Sequence, residues 1–234
     1  MTAALILATW LLWVLASIGL GLIFIRSVRW RLNFRDRFHS ALWIGLGLLL
    51  LVSSSAQLFF GLGHSWGTVL ALALLLVGLA CLVRTVLLSR TQIQESLLKS
   101  VTWRRFPVIL ALALLVIGLI DMSYLATGEP MDADAGSYRI GSILYASEYR
   151  LIPGLANLHF RFGFNSSMWP FAALIGQAPW TGQGYRLVTG VFVTALTADV
   201  LMRIGLKRTK GPTAGDWFLI IATGFTGGIL LTDT

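Results

Sequence analysis

Long apolar runs dominate the sequence, and "VLALALLLVGLACLV" at residues 69–83 is typical of them. About 20 such residues are needed for a helix to cross roughly 30 Å of hydrocarbon. Only helices and closed barrels satisfy their backbone groups in lipid, and these runs lack the alternation of a barrel strand. Only 12% of the residues are charged, against about 25% in ordinary soluble domains. The sequence therefore predicts an all-α integral membrane protein.

Six segments reach or approach the length of a membrane span. The first lacks a basic start and a small-residue cleavage site, so it is predicted to be a retained helix rather than a signal peptide. The predicted spans are residues 3–25, 40–62, 67–89, 107–125, 185–204 and 216–232.

The basic residues predict the orientation of these spans. Fourteen of the 18 Lys and Arg residues lie in or beside the loops 26–39 and 90–105 and the segment 203–210. Short loops rich in Lys and Arg stay on the cytoplasmic side of a membrane. We therefore expect the N-terminus and the long segment 126–184 on the outer face, which is the periplasmic or extracellular face in a bacterium and the lumenal face in a eukaryotic endomembrane. The net charge of +8 then reflects topology, and no nucleic-acid partner is expected.

The outer segment 126–184 is too apolar for a disordered linker and is predicted to contain two short juxtamembrane helices. Residues 137–150 have helical periodicity, which indicates an amphipathic helix on the membrane surface. The second helix is expected over about 167–178, ending at Pro179. The predicted apolar face of the first helix consists of Tyr138, Ile140, Ile143, Leu144, Tyr145 and Tyr149, and its polar positions are Arg139, Ser142, Ser147 and Glu148.

The stretch "EPMDADAGSYR" at residues 129–139 gathers three of the ten acidic residues of the chain. Asp132 and Asp134 are one residue apart, so their carboxylates can converge in a turn or an extended backbone. They could hold a divalent cation through oxygen ligands, or one could act as a general base whose pKa its neighbour raises. The alternative is an acidic loop that only meets water, because Asp, Gly and Pro are common in turns.

A second polar group follows in "ANLHFRFGFNSS" at residues 156–167. In an extended backbone Asn157, His159, Arg161 and Asn165 would share one side and the aromatic residues the other. The planar guanidinium of arginine suits a phosphate group. The alternative is an interfacial loop that the aromatic residues anchor in lipid. With no second histidine nearby in the sequence and the lone Cys81 in an apolar run, no zinc site and no disulfide are expected.

Asp199 lies within the fifth predicted span, where an ionisable side chain is costly. We expect it to meet a polar partner inside the helix bundle and to have a structural role.

The order of these elements resembles a known family. An apolar helix, "DADAGSYR", a short amphipathic helix, "RLIPGLANLHFRFGFNSSMWPFAAL" and a further span are similar to the first large outer loop of bacterial GT-C glycosyltransferases. The resemblance covers residues 107–204. It implies a module over 106–234 preceded by a three-span extension over 1–105, and a chain that is the N-terminal part of a longer enzyme.

The resemblance also implies roles for single residues. Asp132 or Asp134 would be the catalytic carboxylate or help to hold a metal, and no other cofactor is assigned. Arg139 stands where related sequences often have histidine. The residues expected to contact substrate are Tyr138, Arg139, Asn157, His159, Arg161 and Asn165.

The function that the resemblance implies is transfer of a sugar from a polyprenyl-phosphate-linked donor to an acceptor on the outer face. The expected partners are this lipid-linked donor and membrane lipids. One alternative is a non-catalytic transporter, which predicts ionisable residues lining the helix bundle at mid-membrane. Another is an assembly subunit, for which changes at Asp132 and Arg161 would be tolerated.

Overall fold

The computed structural model describes residues 2–90, 106–128, 135–158, 160–163 and 166–205. All regular structure in these residues is helical, with no strand among them. The helices are α1 (Ala3–Ser27), α2 (Phe34–Gln57), α3 (Ser65–Leu88), α4 (Phe106–Leu125), α5 (Ile140–Glu148), α6 (Met168–Ile175) and α7 (Tyr185–Gly205). A π-helical turn (Ala135–Arg139) precedes α5, and two 3₁₀ turns (Leu155–Asn157 and Phe160–Gly163) lie between α5 and α6.

The number of membrane spans is lower in the described residues than the sequence predicts. Four helices, α1, α2, α3 and α7, are long and apolar enough to cross a membrane, and Leu115–Leu125 of α4 forms a shorter apolar stretch. The predicted span 216–232 lies outside the described residues. The structure therefore supports an all-helical, membrane-like fold but not a count of six spans.

The second span begins and ends earlier than predicted, at Phe34 and Gln57 instead of residues 40 and 62. Asp36 lies in its first turn, where a negative charge favours the helix dipole. After Gln57 the apolar chain turns to follow α5, and the amides of Leu62 and Gly63 donate to the carbonyls of Ala146 and Ser147 at 2.9 and 2.7 Å. Apolar composition alone could not distinguish this turn from another helical turn.

The short segments of residues 135–184 are attached to one end of the bundle, which we call the loop end. There, α1, α3 and α7 begin and α2 and α4 end. The Trp180 indole donates to Thr9 of α1 at 2.9 Å, and the Gln177 amide donates to the carbonyl of Leu62 at 2.7 Å. At the opposite end, Arg26 of α1 donates to Thr85 of α3 at 3.1 Å. The long helices therefore alternate in direction, as the predicted topology requires.

Helix α1 is the centre of the bundle and α3 lies at its periphery. Within the most apolar window of each helix, 61% of the residues are buried in α1 but only 17% in α3. Small residues allow the backbones to approach closely: a Cβ at Gly19 would overlap the backbone of Gly78 in α3, and one at Gly21 would overlap Ala41 in α2. The central position of α1 thus depends on glycine at these crossings.

The short helix α6 is part of the core rather than a surface helix. All residues from Pro170 to Ile175 are buried. The Phe171 ring contacts Trp13 of α1 and Phe192 of α7 edge to face, with centroids 6.1 and 6.2 Å apart. The helix ends at Ile175, three residues before the predicted end. The segment after it returns along the bundle, with Gly184 against the Ala172 carbonyl.

The amphipathic helix predicted over 137–150 exists, but its polar and apolar sides differ from the prediction. Ser142 and Ser147 are buried, whereas Leu144 and Tyr149 are 41% and 54% exposed. The serines face inward because small side chains allow α5 to pack closely: a Cβ at Gly61 would overlap the Ser147 carbonyl. One face of α5 therefore packs on protein instead of lying freely on a membrane.

Asp199 meets a polar partner, as expected from its position in the fifth predicted span. Its carboxylate contacts Nδ1 of His39 in α2, and its side chain is only 3% exposed. Both residues lie more than one turn inside their helices, near the end of the bundle opposite the loop end. This polar contact joins α2 to α7.

Candidate functional site

The loop end contains a cleft between α5, the end of α2 and residues 150–170. Its volume is about 280 Å³. The main-chain amide of Leu151 donates to the carbonyl of Gln57 at 2.8 Å, which attaches the loop after α5 to the bundle. The side chains that give the cleft its chemical character are Ser142, Tyr145, Arg150, Phe162, Ser166 and Trp169.

Aromatic contacts hold the two sides of this cleft together. The rings of Tyr145 and Phe162 meet edge to face, with centroids 5.4 Å apart. Phe162 also lies close over Gly141 of α5, where a Cβ would be 3.3 Å from the ring. The 3₁₀ turn Phe160–Gly163 is therefore fixed against α5.

Two residues that were predicted to contact substrate meet beside the cleft. The guanidinium carbon of Arg161 lies 5.3 Å from the centroid of the Tyr138 ring, a cation–π geometry. The same ring contacts Trp169, a cleft residue, with centroids 6.4 Å apart. Tyr138 therefore touches both Arg161 of the second predicted polar group and Trp169 in the wall of the cleft.

The extended backbone expected for residues 156–167 is wrong where the structure describes it. The chain forms two 3₁₀ turns, Leu155–Asn157 and Phe160–Gly163. Gly154 starts the first of them with a φ of 82°, a left-handed conformation that glycine adopts without strain. Side chains consequently do not alternate between two faces, and the contact of Arg161 with Tyr138 arises from the turn.

Of the remaining predicted site residues, two are exposed and four lie outside the described part of the chain. Arg139 is exposed at the end of the π-helical turn. Asn157 is exposed in the first 3₁₀ turn, beside Gly154 of the cleft. Four predicted residues lie outside the described part of the chain, namely Asp132, Asp134, His159 and Asn165.

Arg186 is a candidate site residue that the sequence did not single out. From the first turn of α7 it donates to the carbonyl of Ala126 at 3.0 Å and also to that of Gly128. A cation at this position satisfies carbonyls just beyond the C-terminal end of α4. Gly128 immediately precedes the acidic stretch, so Arg186 fixes the point from which that stretch departs. The one sequence signal was an arginine that lies apart from the basic loops.

Replacing Arg186 with leucine should loosen the chain that enters the acidic stretch. Hydrogen bonds from a charged donor contribute about 1.5–3 kcal/mol, so amide hydrogen exchange at residues 126–128 should accelerate about tenfold or more. Arg150→Leu is the matched control because Arg150 is an exposed arginine at the same end. Equal exchange at residues 126–128 in both variants would contradict this role of Arg186.

The described residues include no cluster of three or more His, Cys, Asp or Glu side chains that could hold a metal ion. The cation predicted at Asp132 and Asp134 involves residues outside the described part of the chain. It stays a prediction.

Comparison with known proteins adds one match. A family model described as "Domain of unknown function (DUF8201)" matches residues 4–229. No curated protein matches the sequence. No solved structure matches it either.

Proposed function

We propose a function for this chain, which belongs to the DUF8201 family: it is a membrane glycosyltransferase of the GT-C type. It transfers a sugar from a polyprenyl-phosphate-linked donor to an acceptor hydroxyl at the loop end of the bundle. The loop end faces the outer side of a bacterial cytoplasmic membrane in this proposal, because the basic loop 26–39 lies at the other end.

The contact of Arg161 with Tyr138 is the observation that supports this proposal best. The two residues come from the two separate polar segments of the outer loop, and the cation–π geometry places the side chains of Tyr138 and Arg161 in contact. Trp169 joins them to a cleft at the same end of the bundle. A transferase needs this combination of a carboxylate-bearing segment, a cation and a cavity at the edge of the membrane, where a lipid-linked headgroup arrives.

The proposed reaction divides the chemistry between the two polar groups. A carboxylate of Asp132 or Asp134 accepts the proton of the acceptor hydroxyl, whose oxygen forms the new bond to the anomeric carbon. The bond from that carbon to the donor phosphate oxygen breaks, and the phosphate leaves with the electron pair. Arg161 stabilises the charge that develops on the leaving phosphate.

The test is transfer of radiolabelled sugar from polyprenyl-phosphate donors by membranes that contain the full chain. Asp132→Asn and Asp134→Asn remove a carboxylate without changing side-chain size. At least one of them should reduce transfer about 100-fold or more, the loss expected for a general base. Asp36→Asn is the matched control, because Asp36 is exposed in α2 at the opposite end of the bundle.

Membrane insertion of each variant is measured alongside by carbonate extraction, and it should stay at the level of the unchanged chain. Full transfer in both the Asp132 and the Asp134 variants would exclude this mechanism.

The polar contact inside the bundle favours a second candidate, a non-catalytic transporter or assembly subunit. His39 and Asp199 meet inside the helix bundle, and ionisable residues within spans are common on ion and proton pathways. Transport would require both residues for solute movement and neither Asp132 nor Asp134. Solute uptake into vesicles that contain the His39→Gln or the Asp132→Asn chain distinguishes the two candidates. Uptake that is lost only in the His39→Gln chain favours transport.

A further inference from the structure

We propose, on the basis of the function above, that the cleft beside α5 binds a single carbohydrate ring. The ring would be one hydroxyl-bearing unit of the donor or the acceptor. The site is distinct from the acidic stretch and from the Arg161–Tyr138 pair, although Trp169 contacts both regions.

The walls of the cleft combine aromatic and hydroxyl side chains with aliphatic ones such as Leu151 and Leu155. Tyr145, Phe162 and Trp169 supply ring surface, and Ser142 and Ser166 supply hydroxyl groups. A sugar ring has C–H groups on its faces and hydroxyls around its rim. The faces of aromatic rings carry partial negative charge and attract such C–H groups, while the rim hydroxyls exchange hydrogen bonds with serine. The two serine hydroxyls therefore favour a sugar ring over an acyl chain, which needs no hydroxyl partners.

Ser142 supplies the second observation that points to a ligand. It is the most buried polar residue of the cleft, at 6% exposure. Its hydroxyl has no hydrogen-bond partner among the described residues. Buried polar groups without partners are rare in native proteins and call for an explanation. A ligand hydroxyl in the cleft would supply the missing partner.

The size of the cleft limits the ligand to about one ring. Clefts that hold drug-sized molecules have volumes of roughly 300–1,000 Å³, and this cleft, at about 280 Å³, lies just below that range. A single pyranose ring suits this volume better than an oligosaccharide does. A longer glycan would extend past the exposed Arg150 and Ile152 into solvent.

A free phosphate group fits the same cleft less well. Phosphate sites usually gather several charged or backbone donors around the anion, and Arg150 is the only charged side chain among the described residues that line this cleft. That arginine is exposed, so water screens its charge. The cleft is therefore assigned to the neutral ring rather than to the phosphate of a lipid-linked substrate.

Ligand binding to the full chain in lipid nanodiscs tests this assignment. The probes are methyl α-D-glucopyranoside, methyl α-D-mannopyranoside, N-acetylglucosamine and inorganic phosphate, each titrated by saturation-transfer NMR. At least one sugar should give a saturable signal. Ala156→Trp places a large ring in the cleft from an exposed position and should abolish the signal.

Two further variants separate the cleft from general effects of mutation. Ser142→Ala removes one hydrogen bond and should weaken sugar binding roughly three- to tenfold. Leu158→Trp is the matched control, because Leu158 is 75% exposed in the same loop and does not line the cleft. It should bind sugar as the unchanged chain does.

Several results would overturn the assignment. They are the absence of saturable binding by all three sugars, sugar binding that survives Ala156→Trp, and binding of phosphate alone with loss in Ala156→Trp. Sugar binding without any glycosyl transfer would support the sugar site in the cleft and exclude the proposed enzymatic activity. Transfer at the normal rate by the Ala156→Trp variant would support the enzymatic activity and exclude the sugar site in the cleft.

Discussion

Gly45→Ala should destabilise the helix bundle by about 1–3 kcal/mol, the usual cost of overpacking a close contact. Gly45 lies in α2 at its crossing with α1. A Cβ there would lie 2.5 Å from the carbonyl carbon of Ser17 and closer still to its oxygen. The obstacle is backbone rather than a flexible side chain, so α1 and α2 must separate. Unfolding by SDS in mixed micelles, followed by circular dichroism, measures the change.

Gly47→Ala is the matched control on the same helix. Gly47 is exposed, and a Cβ there would have no atom within 4 Å. Alanine favours helix over glycine by about 1 kcal/mol, so this variant should be neutral or stabilising. Equal losses of stability in the two variants would show that the crossing of α1 and α2 is looser than described.

Asp199→Leu should destabilise the protein by about 3 kcal/mol, the lower end of the range for breaking a buried polar pair. The lower end applies because the side chain of His39 is 22% exposed, so the pair is only partly enclosed. Replacing both residues with leucine should recover much of the loss, because no polar group of the pair then stays buried without its partner.

A double-mutant cycle with His39→Leu and Asp199→Leu measures this coupling from SDS unfolding curves. We expect an interaction energy of at least about 1 kcal/mol, since residues in direct contact usually couple. Asp36→Asn, at an exposed position in the first turn of α2, should change the free energy of unfolding by less than about 0.5 kcal/mol. Additive losses from the two leucine variants would contradict a direct contact.

Local sequence signals predicted most of the helices. The predicted starts and ends of α1, α3, α4 and α7 differ from the structure by no more than two residues, because long apolar runs between polar loops leave little freedom. The α2 prediction failed where the chain leaves the helix after Gln57, and where Gly61 and Leu62 pack on α5. Apolar composition does not distinguish a helix from a packed turn, because both contain buried apolar residues.

The candidate site was predictable only in part. The sequence identified Tyr138 and Arg161, but an extended loop was the wrong geometry for bringing them together. Ser142 was expected on the polar face of α5, and its burial depends on the packing of the chain against that helix. Arg186 acquires its role from carbonyls about 60 residues away, a relation that no local pattern contains.

The sequence by itself determined an all-helical, membrane-like chain, because lipid requires backbone groups to be satisfied within each segment. It also determined the relative directions of the long helices, because consecutive spans cross a membrane in opposite directions. Only the tertiary structure decided that α1 lies at the centre, that α6 is buried, and that a cleft forms beside α5. These features depend on which small residues let two backbones approach and on which side chains meet across distant segments. Such contacts follow from packing in three dimensions, and hydrophobic periodicity does not encode them.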